Sequence, residues 1–599
     1  MSETSDLLSG LNADVLNALA RKLGARCAST RKLDLIAALD RLIHSNAQQI
    51  LDHLSETERQ LLAEAAFGDG RVHAERFAAK YGVACPLPAA EVYPVSKASV
   101  LLLFIGGKYG PLRLPDSVTK VLRSVLCEPA AATVKVIDSL PALYSPPDNW
   151  RKRASRPIHI HEGEQIVFPE LRQILKLVQA GKLKVADKSR RPTEVTTRLI
   201  GEVLLVPDLL LEPPEDQVTK YTERVGAVRA HAWGVLVQQC GWAKVRGGTL
   251  SLTTSGQKLI GSFDVAEFAR GVGEFLSDDK FDELNRINHI RGQSGGGRRH
   301  LTPPYERREA ICDSMRGWPL DKWVAFDEAA RYTQASGNDF EVTEADHTLY
   351  FGELQYGSLG GQGTKIDHQY MRAFLFESLA TLGLIDVAFT YPHSLWPELG
   401  DSWDIDELSF CGRYDGLLYV RLNALGAYCL GIASAYDRPI QQTAANFRIL
   451  PNREIVLLTG GQPSAADRHM LELFASRKSD LVWELDGGRI LNHLESGGSV
   501  EDVLRFLEGN ASSPLPETVQ TMLSDLSRGA AAIVRAEESI LIECADDHVA
   551  ALIAHDTQAA KCCYLAGGKR LAIPKRNLRA FRSAIKKLGF IIPNDHIPH

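Results

Sequence analysis

Leu481 to Pro516, LVWELDGGRILNHLESGGSVEDVLRFLEGNASSPLP, is the stretch on which the reading of the fold turns. Its opening, Leu481 to Asp486, predicts a strand. Gly487 and Gly488 then predict a turn into a helix with Ile490, Leu491 and Leu494 at helical spacing. Gly497 and Gly498 end that helix. Ser499 followed by Asp502 is a capping-box variant that opens a second helix, with Val503, Leu504, Phe506 and Leu507 on its buried side. Pro514 and Pro516 close the unit.

The flanks continue the pattern: FRILPNREIVLLTG before it, the helix AADRHMLELFASR, then the helix PETVQTMLSDLSRG and a strand pair, AAIVRAE and SILIECAD. This order resembles the N-terminal domain of XPB-type DNA helicases over about Phe447 to Ala554, roughly a fifth of the chain. The resemblance implies an α/β accessory domain of the kind that family carries beside its motor. A motor would need a glycine loop ending in Lys-Ser or Lys-Thr, whose backbone N–H groups and lysine hold phosphates while the hydroxyl reaches magnesium. No G-x-x-x-x-G-K-[ST] occurs, and the nearest strings, FIGGKYGP at Phe104 to Pro111 and GGQGTKID at Gly360 to Asp367, read as glycine turns. WVAFDEAA, Trp323 to Ala330, imitates a strand delivering acids to magnesium, but without a phosphate loop it reads as a helix start with Asp327 as cap. The chain therefore reads as a helicase-associated architecture without the engine.

At 599 residues and 45% hydrophobic content, the chain is long enough for about four domains with their own cores. No apolar run approaches a membrane span, and MSETSDLLSG is no signal peptide, so no membrane contact and a cytoplasmic location are expected. The ten cysteines include no C-x-x-C pair and read as reduced thiols. His159-Ile160-His161-Glu162 could present two imidazoles on one strand face, but no third and fourth ligands follow at familiar spacing, and a surface strand is expected. H-E-x-x-H does not occur, and the one G-x-S-x-G match, GQSGG at Gly292 to Gly296, falls in the glycine-rich connector rather than at a strand-to-helix turn, so it reads as linker. No catalytic residue, metal or cofactor is expected. Glu212, Glu215 and Asp216 would make a nuclease site only if the fold gathered them.

Charge is the second clue. The net of −6 conceals a segment, Lys561 to Lys587, with nine basic residues and no acid, leaving −15 for the rest. A second run, Arg151 to Arg198, has twelve basic residues against five acidic ones. Two basic surfaces on an acidic body favour local binding to a polyanion. Lys575 to Leu588 reads as a helix ended by Gly589, with Lys575, Arg579, Arg582 and Lys586 on one stripe beside the apolar Leu578, Phe581, Ile585 and Leu588. Such a stripe suits a phosphate backbone or an acidic partner protein. The expected nucleic-acid contacts are Lys575, Arg576, Arg579, Arg582, Lys586 and Lys587, with Arg151, Lys152, Arg153, Arg298, Arg299, Lys244 and Arg246. Arg307 and Arg308 belong to the same connector as Arg298 and Arg299.

Upstream, Leu11 to Ile43 reads as a helix ending at Gly24, a loop, and a helix from Arg31 with Ser29 or Thr30 as cap. It resembles the SAP-type DNA-binding motif, although a plain helical hairpin fits as well. Ser55 to Glu58 is a capping box ahead of two helices around Gly68-Asp69-Gly70, the spacing of a helix-turn-helix core. Ala230 to Gly241 followed by WAKVRGGTLSLTTSGQKLIG reads as a helix, a hairpin turned at Gly247-Gly248 and a short helix from Thr254, the tail of a winged helix. His368 to Gly431 repeats the theme with an insertion around Pro392 to Phe410, and Leu-Gly-Leu-Ile at 382 to 385 parallels Cys-Gly-Trp-Ala at 240 to 243.

The expected architecture is α+β and multidomain. It comprises a helical hairpin (1–50), a helix-turn-helix-like region (51–145), a basic α/β region (146–215), a winged-helix module (216–290), a second such module (300–440) and the XPB-N-terminal-like α/β domain (446–599). The expected function is a noncatalytic DNA-binding accessory protein of genome maintenance or defence, on duplex or single strands, beside a separately encoded helicase or ATPase. The alternative is a scaffold for an acidic partner protein, and a cryptic nuclease or ATPase stands third.

Overall fold

A computed structural model of the chain describes residues 3–88, 97–105, 112–145, 155–209, 224–261, 264–291, 300–345, 349–353, 357–358, 363–392, 395, 410–436, 447–457, 465–479, 481–511, 513–532 and 538–593. It mixes helices with several small antiparallel sheets. Contacts divide it into two compact units, 1–443 with 462–470, and 444–461 with 471–599.

The first unit begins with helices α1 (Glu3–Ser9), α2 (Ala13–Lys22), α3 (Lys32–Ser45), α4 (Ala47–Leu51), α5 (Glu56–Phe67), α6 (Ala74–Tyr81), α7 (Leu102–Ile105) and α8 (Asp116–Val125) around a core that includes Leu39, Leu62 and Phe104. Gly24, at φ 64°, lies just beyond the end of α2. The cap of α3 is Arg31 rather than Ser29 or Thr30; Ser29 Oγ instead accepts the Arg31 N–H at 3.1 Å and donates to Asp34. The Ser55 and Glu58 capping box forms as expected, with the Ser55 N–H on Glu58 Oε2 at 2.8 Å. FIGGKYGP has its 106–111 portion outside the described residues.

After a small pair, β1 (Leu143–Tyr144) with β2 (Arg156–Pro157), and strand β3 (His159–His161), the chain builds one motif twice. The first copy runs α9 (Val167–Gln179), a strand segment at Leu183 to Val185, α10 (Glu194–Gly201), α11 (Arg229–Gln239), β4 (Ala243–Arg246), β5 (Thr249–Leu252) and α12 (Thr254–Gly261), followed by α13 (Val265–Leu276). After the short strand β6 (Ile290–Arg291), the second copy runs α14 (Pro304–Met315), β7 (Trp323–Ala325), α15 (Phe326–Ala335), strands β8 (Tyr350–Glu353) and β9 (Gly357–Ser358), α16 (Gly363–Ala373) continued by a π turn over Phe374–Leu379, β10 (Ile385–Phe389), β11 (Leu417–Leu422) and α17 (Ala424–Cys429). In both copies the strand between the first two helices joins the later hairpin. Lys184 bridges Thr249 in the first, and β7 pairs with β11 in the second. The Lys184 bridge crosses the limit placed at 216, because the strand that completes the ribbon lies upstream of it.

The parallel between Cys-Gly-Trp-Ala and Leu-Gly-Leu-Ile has a structural cause. Gly241 and Gly383 both take φ 68° to end their helix and turn into the strand. Thr253 Oγ1 donates to the Gly241 carbonyl at 2.7 Å and accepts the Gly256 N–H at 3.2 Å. Asn423 Nδ2 donates to the Gly383 carbonyl at 2.9 Å, and its Oδ1 accepts the Gly426 N–H at 2.9 Å. In each copy one polar side chain caps the last helix and fixes the glycine turn. A methyl group on Gly256 would strike the Trp242 carbonyl, and one on Gly426 the Leu384 carbonyl. Gly256→Ala and Gly426→Ala should each destabilise the first unit by about 1–3 kcal/mol, read as a lower urea midpoint of tryptophan fluorescence.

The copies share one apolar core, from Val167 to Leu430, with α11 and the helix over 366–379 inside it. Glu377, on the π turn, gathers three side chains there. Arg286 Nε lies 3.0 Å from its Oε1, the Tyr414 hydroxyl donates to its Oε2, and His231 Nδ1 lies 3.6 Å away. Burial pushes the Glu377 carboxyl up, but the Arg286 charge and the neighbouring His231 override it and hold the group at about 2.

WVAFDEAA is strand β7 followed directly by α15. Its cap is Ala325, and Asp327 sits in the first turn with Oδ1 3.9 Å from Arg372, so the capping role expected of Asp327 is not taken up. GGQGTKID is not wholly a turn, since α16 starts at its Gly363. His159 and His161 differ in exposure: β3 is an edge strand on β10, with His159 exposed and His161 buried. Burial drives the His161 imidazole pKa well below its usual value, with the Arg229 charge adding to this. No helix among the described residues is long and apolar enough to cross a membrane.

The second unit opens with a sheet of order β12 (Phe447–Ile449), β13 (Glu454–Leu457), β15 (Val482–Leu485), β14 (Ala475–Arg477), with α18 (Ala465–Phe474) between β13 and β14 in sequence. AADRHMLELFASR is therefore a helix only to Phe474; Ala475 to Arg477 pair with β15, and Ser476 Oγ donates to Asp486 Oδ2 at 2.9 Å. Gly487 and Gly488 are the first residues of α19 (Gly487–Glu495) rather than a turn, because Asp486 caps it by accepting the Gly488 and Arg489 N–H groups. Ile490 is buried and Leu491 exposed. The Ser499 and Asp502 box caps α20 (Val500–Asn510), which buries Val503 and Leu507, and α21 (Glu517–Ala531) starts after Pro516.

SILIE forms β16 (Ser539–Glu543), and α22 (Asp547–His555), β17 (Tyr564–Leu565), β18 (Arg570–Pro574) and α23 (Leu578–Lys587) complete a second, three-stranded layer. β16 pairs with β18 in the order β16-β18-β17; of AAIVRAE, Ala531 ends α21 and 533–537 lie outside the described residues.

Candidate nucleic-acid interface

α23 exists because Leu578, Phe581, Ala584 and Ile585 recur at helical spacing and close the core made by Ala550, Ile553, Leu571 and Ile573. Gly589, at φ 84°, stops it. The basic residues take what this packing leaves. Arg576, Arg579, Lys586 and Lys587 are exposed, with Ala580 and Ser583 between them. Arg582 falls beside the buried stripe and is half-buried, so Ser583 takes the central outward place expected of Arg582. Lys575 is not on the α-helix. It belongs to a short 3-10 turn over Lys575–Asn577, and its Nζ lies 2.6 Å from Glu538 Oε2.

Other charges of this segment are also offset. Lys569 lies 2.6 Å from Glu543 and Arg570 3.6 Å from it. The acid-free run is thus paired with carboxylates of β16 and the residue before it, which register places opposite β18. Arg579 and Lys586 have no ion-pair partner among the described residues. Asp556 lies below its usual carboxylate range, chiefly through the Ala559 and Gln558 N–H groups and least through Lys587.

Lys244 and Arg246 lie on the outer face of β4, both exposed. Arg151, Lys152, Arg153, Arg298 and Arg299 lie outside the described residues, as do Glu212, Glu215 and Asp216. Arg307 and Arg308 are not available to phosphate, being 1% and 0% exposed. Arg307 donates to both oxygens of Asp282, at 3.1 and 2.8 Å, and Arg308 to both of Glu283, at 3.0 Å each, because the start of α14 docks on that acidic turn. Adjacent arginines read alike in sequence whether they face a ligand or a buried acid.

Two other places were candidates for chemistry. A cavity of about 680 Å³ is lined by α5, α6 and the segment 125–135, but Lys80 is paired with Glu64 and Arg331 with Glu328 there. Among the described residues no group of three or more His, Cys, Asp or Glu is placed to hold a metal ion. No protein-family model matches the chain, and no curated protein sequence matches it.

Proposed function

We propose that the protein is a nucleic-acid-binding accessory factor of the helicase-associated type, and that α23 is one of its contact surfaces. The observation that carries this reading is the run of exposed cations formed by Arg576, on the turn leading into α23, and by Arg579, Lys586 and Lys587 along the exposed side of that helix, whose opposite side is anchored in its own core. Cations held on a rigid element bind a phosphate backbone through counterion release and steer it at long range, without reading bases. The two-copy motif of the first unit is read as a pair of winged helices. Their third helices, α11 and the helix over 366–379, are largely buried, which favours a scaffolding role for them over insertion into a groove. The order of elements around Leu481 to Pro516 supports the XPB-N-terminal-like assignment, and a separately encoded motor remains the proposed partner.

The competing reading, an acidic protein partner, fits the same stripe. Anisotropy of a labelled 25-base-pair duplex and its single strand, with poly-glutamate as competitor, tests the choice. Nucleic acid should bind and resist poly-glutamate of equal charge; capture of poly-glutamate with no binding of either DNA would replace this reading by the scaffold.

A further inference from the structure

The second basic run of the sequence and the cations of β4 belong to one surface. The Val185 N–H donates to the Gly248 carbonyl and the Leu250 N–H to the Leu183 carbonyl, each at 2.9 Å, so residues 183–185 form a third strand beside β5. β5 is then flanked on both edges, with Thr249 facing Lys184 on one side and Arg246 on the other, while Val185 bridges Pro192 beyond. Strand alternation sends Leu183, Val185 and Leu250 inward, where all are buried. It sends Lys182, Lys184, Lys244 and Arg246 outward, all exposed, with Thr249 and Ser251 half-buried between them.

None of these four cations has an ion-pair partner among the described residues, and no outward position of the ribbon carries an acid. The nearby carboxylate is Asp187 beside Gly248 at the tip, in a loop that also carries the exposed Lys188 and Arg190. The charge here is thus less offset than in the acid-free run Lys561 to Lys587, where Lys569, Arg570 and Lys575 are paired.

We infer that this ribbon is a second nucleic-acid site, specific for the sugar-phosphate backbone of a duplex and indifferent to its sequence. The inference rests on the nucleic-acid reading above but not on α23. Cations flanking a row of hydroxyls are the groups that contact phosphate and sugar oxygens. The two strands that carry the cations, β4 and residues 183–185, are about 10 Å apart, two strand spacings, close to the width of about 12 Å across a duplex groove. The outward positions hold no aromatic ring on which the bases of a single strand could stack. Base readout by the neighbouring helix is closed, since Trp233, Leu236 and Val237 of α11 are at most 1% exposed.

The test compares the full chain with two variants, Lys182, Lys184, Lys244 and Arg246→Gln (ribbon) and Arg576, Arg579, Lys586 and Lys587→Gln (helix), by anisotropy on labelled 25-base-pair duplexes, one AT-rich and one GC-rich, and a single strand, between 50 and 300 mM KCl. The ribbon variant should lose duplex affinity at least tenfold at 100 mM KCl, with a salt slope shallower by about 3–4. Its single-strand affinity should change less, and the two duplexes should differ under threefold for the wild type. Thr249→Glu, which sets one carboxylate amid the cations, should reproduce the loss if the quadruple variant folds poorly. Wild-type duplex affinity and slope in the ribbon variant would overturn the site whatever the helix variant does. Equal losses on duplex and single strand, or a duplex preference by base composition above tenfold, would overturn its duplex-backbone character. Loss in the ribbon variant alone would sustain this site and remove α23 from the account.

Discussion

Replacing Arg576, Arg579, Lys586 and Lys587 together by glutamine should lower affinity for DNA by about two orders of magnitude at 100 mM salt and flatten the salt dependence by about 3–4 in log–log slope. Each cation that neutralises a phosphate contributes close to one counterion to that slope. Arg579, Lys586 and Lys587 lie on the exposed side of α23 and Arg576 on the exposed turn before it, and none contributes to the buried stripe of Phe581, Ala584 and Ile585, so the fold should survive and far-UV circular dichroism should be unchanged. Lys575→Gln is the informative contrast. Its ammonium is already paired with Glu538 at 2.6 Å, so its removal should cost less than threefold. A Lys575 effect as large as the quadruple effect would mean that binding follows overall charge rather than this surface.

The largest expected effect on stability comes from Glu377→Ala. That carboxylate accepts from Arg286 and Tyr414 and faces His231 inside the core shared by both copies of the repeated motif. Its loss leaves a buried guanidinium without its counter-charge, which costs about 3–5 kcal/mol. The urea midpoint of the first unit, followed through the buried Trp233 and Trp242, should fall accordingly. Glu377→Gln should cost less, because the amide keeps hydrogen-bonding capacity. The pH dependence has a fixed sign. The folded-state pKa is depressed to about 2 from 4.5, so the stabilisation is present above about pH 4.5 and is lost as pH falls towards 2. The gap between wild type and Glu377→Gln should therefore narrow over that window; a gap constant from pH 7 to 2 would show that the charge of Glu377 plays no part.

What the chain discloses by itself follows from how local each signal is. The capping boxes at Ser55 and Ser499, the glycine stop at Gly589 and the amphipathic pattern of α23 each need only a few consecutive residues, and all form. The repeated motif was visible only from its helix-to-hairpin portion, where the Gly241 and Gly383 turns fall in matching tetrapeptides. Its earlier strand in the first copy is Leu183 to Val185, too short to carry a pattern and paired with β5 more than sixty residues later. That distance separates Lys182 and Lys184 from Lys244 and Arg246 along the chain. The fates of Lys575, Arg307 and Arg308 were equally hidden, since each depends on an acid supplied by another element: Glu538, Asp282 and Glu283.

The proposed nucleic-acid binding rests on exposed, rigidly held cations. Anisotropy of the wild-type full chain on a 25-base-pair duplex across 50 to 300 mM KCl tests it most directly. Binding at low salt is expected, with the logarithm of the affinity falling linearly with log salt concentration at a slope of about −4 or steeper. No binding at 50 mM KCl, or a slope near zero, would contradict it.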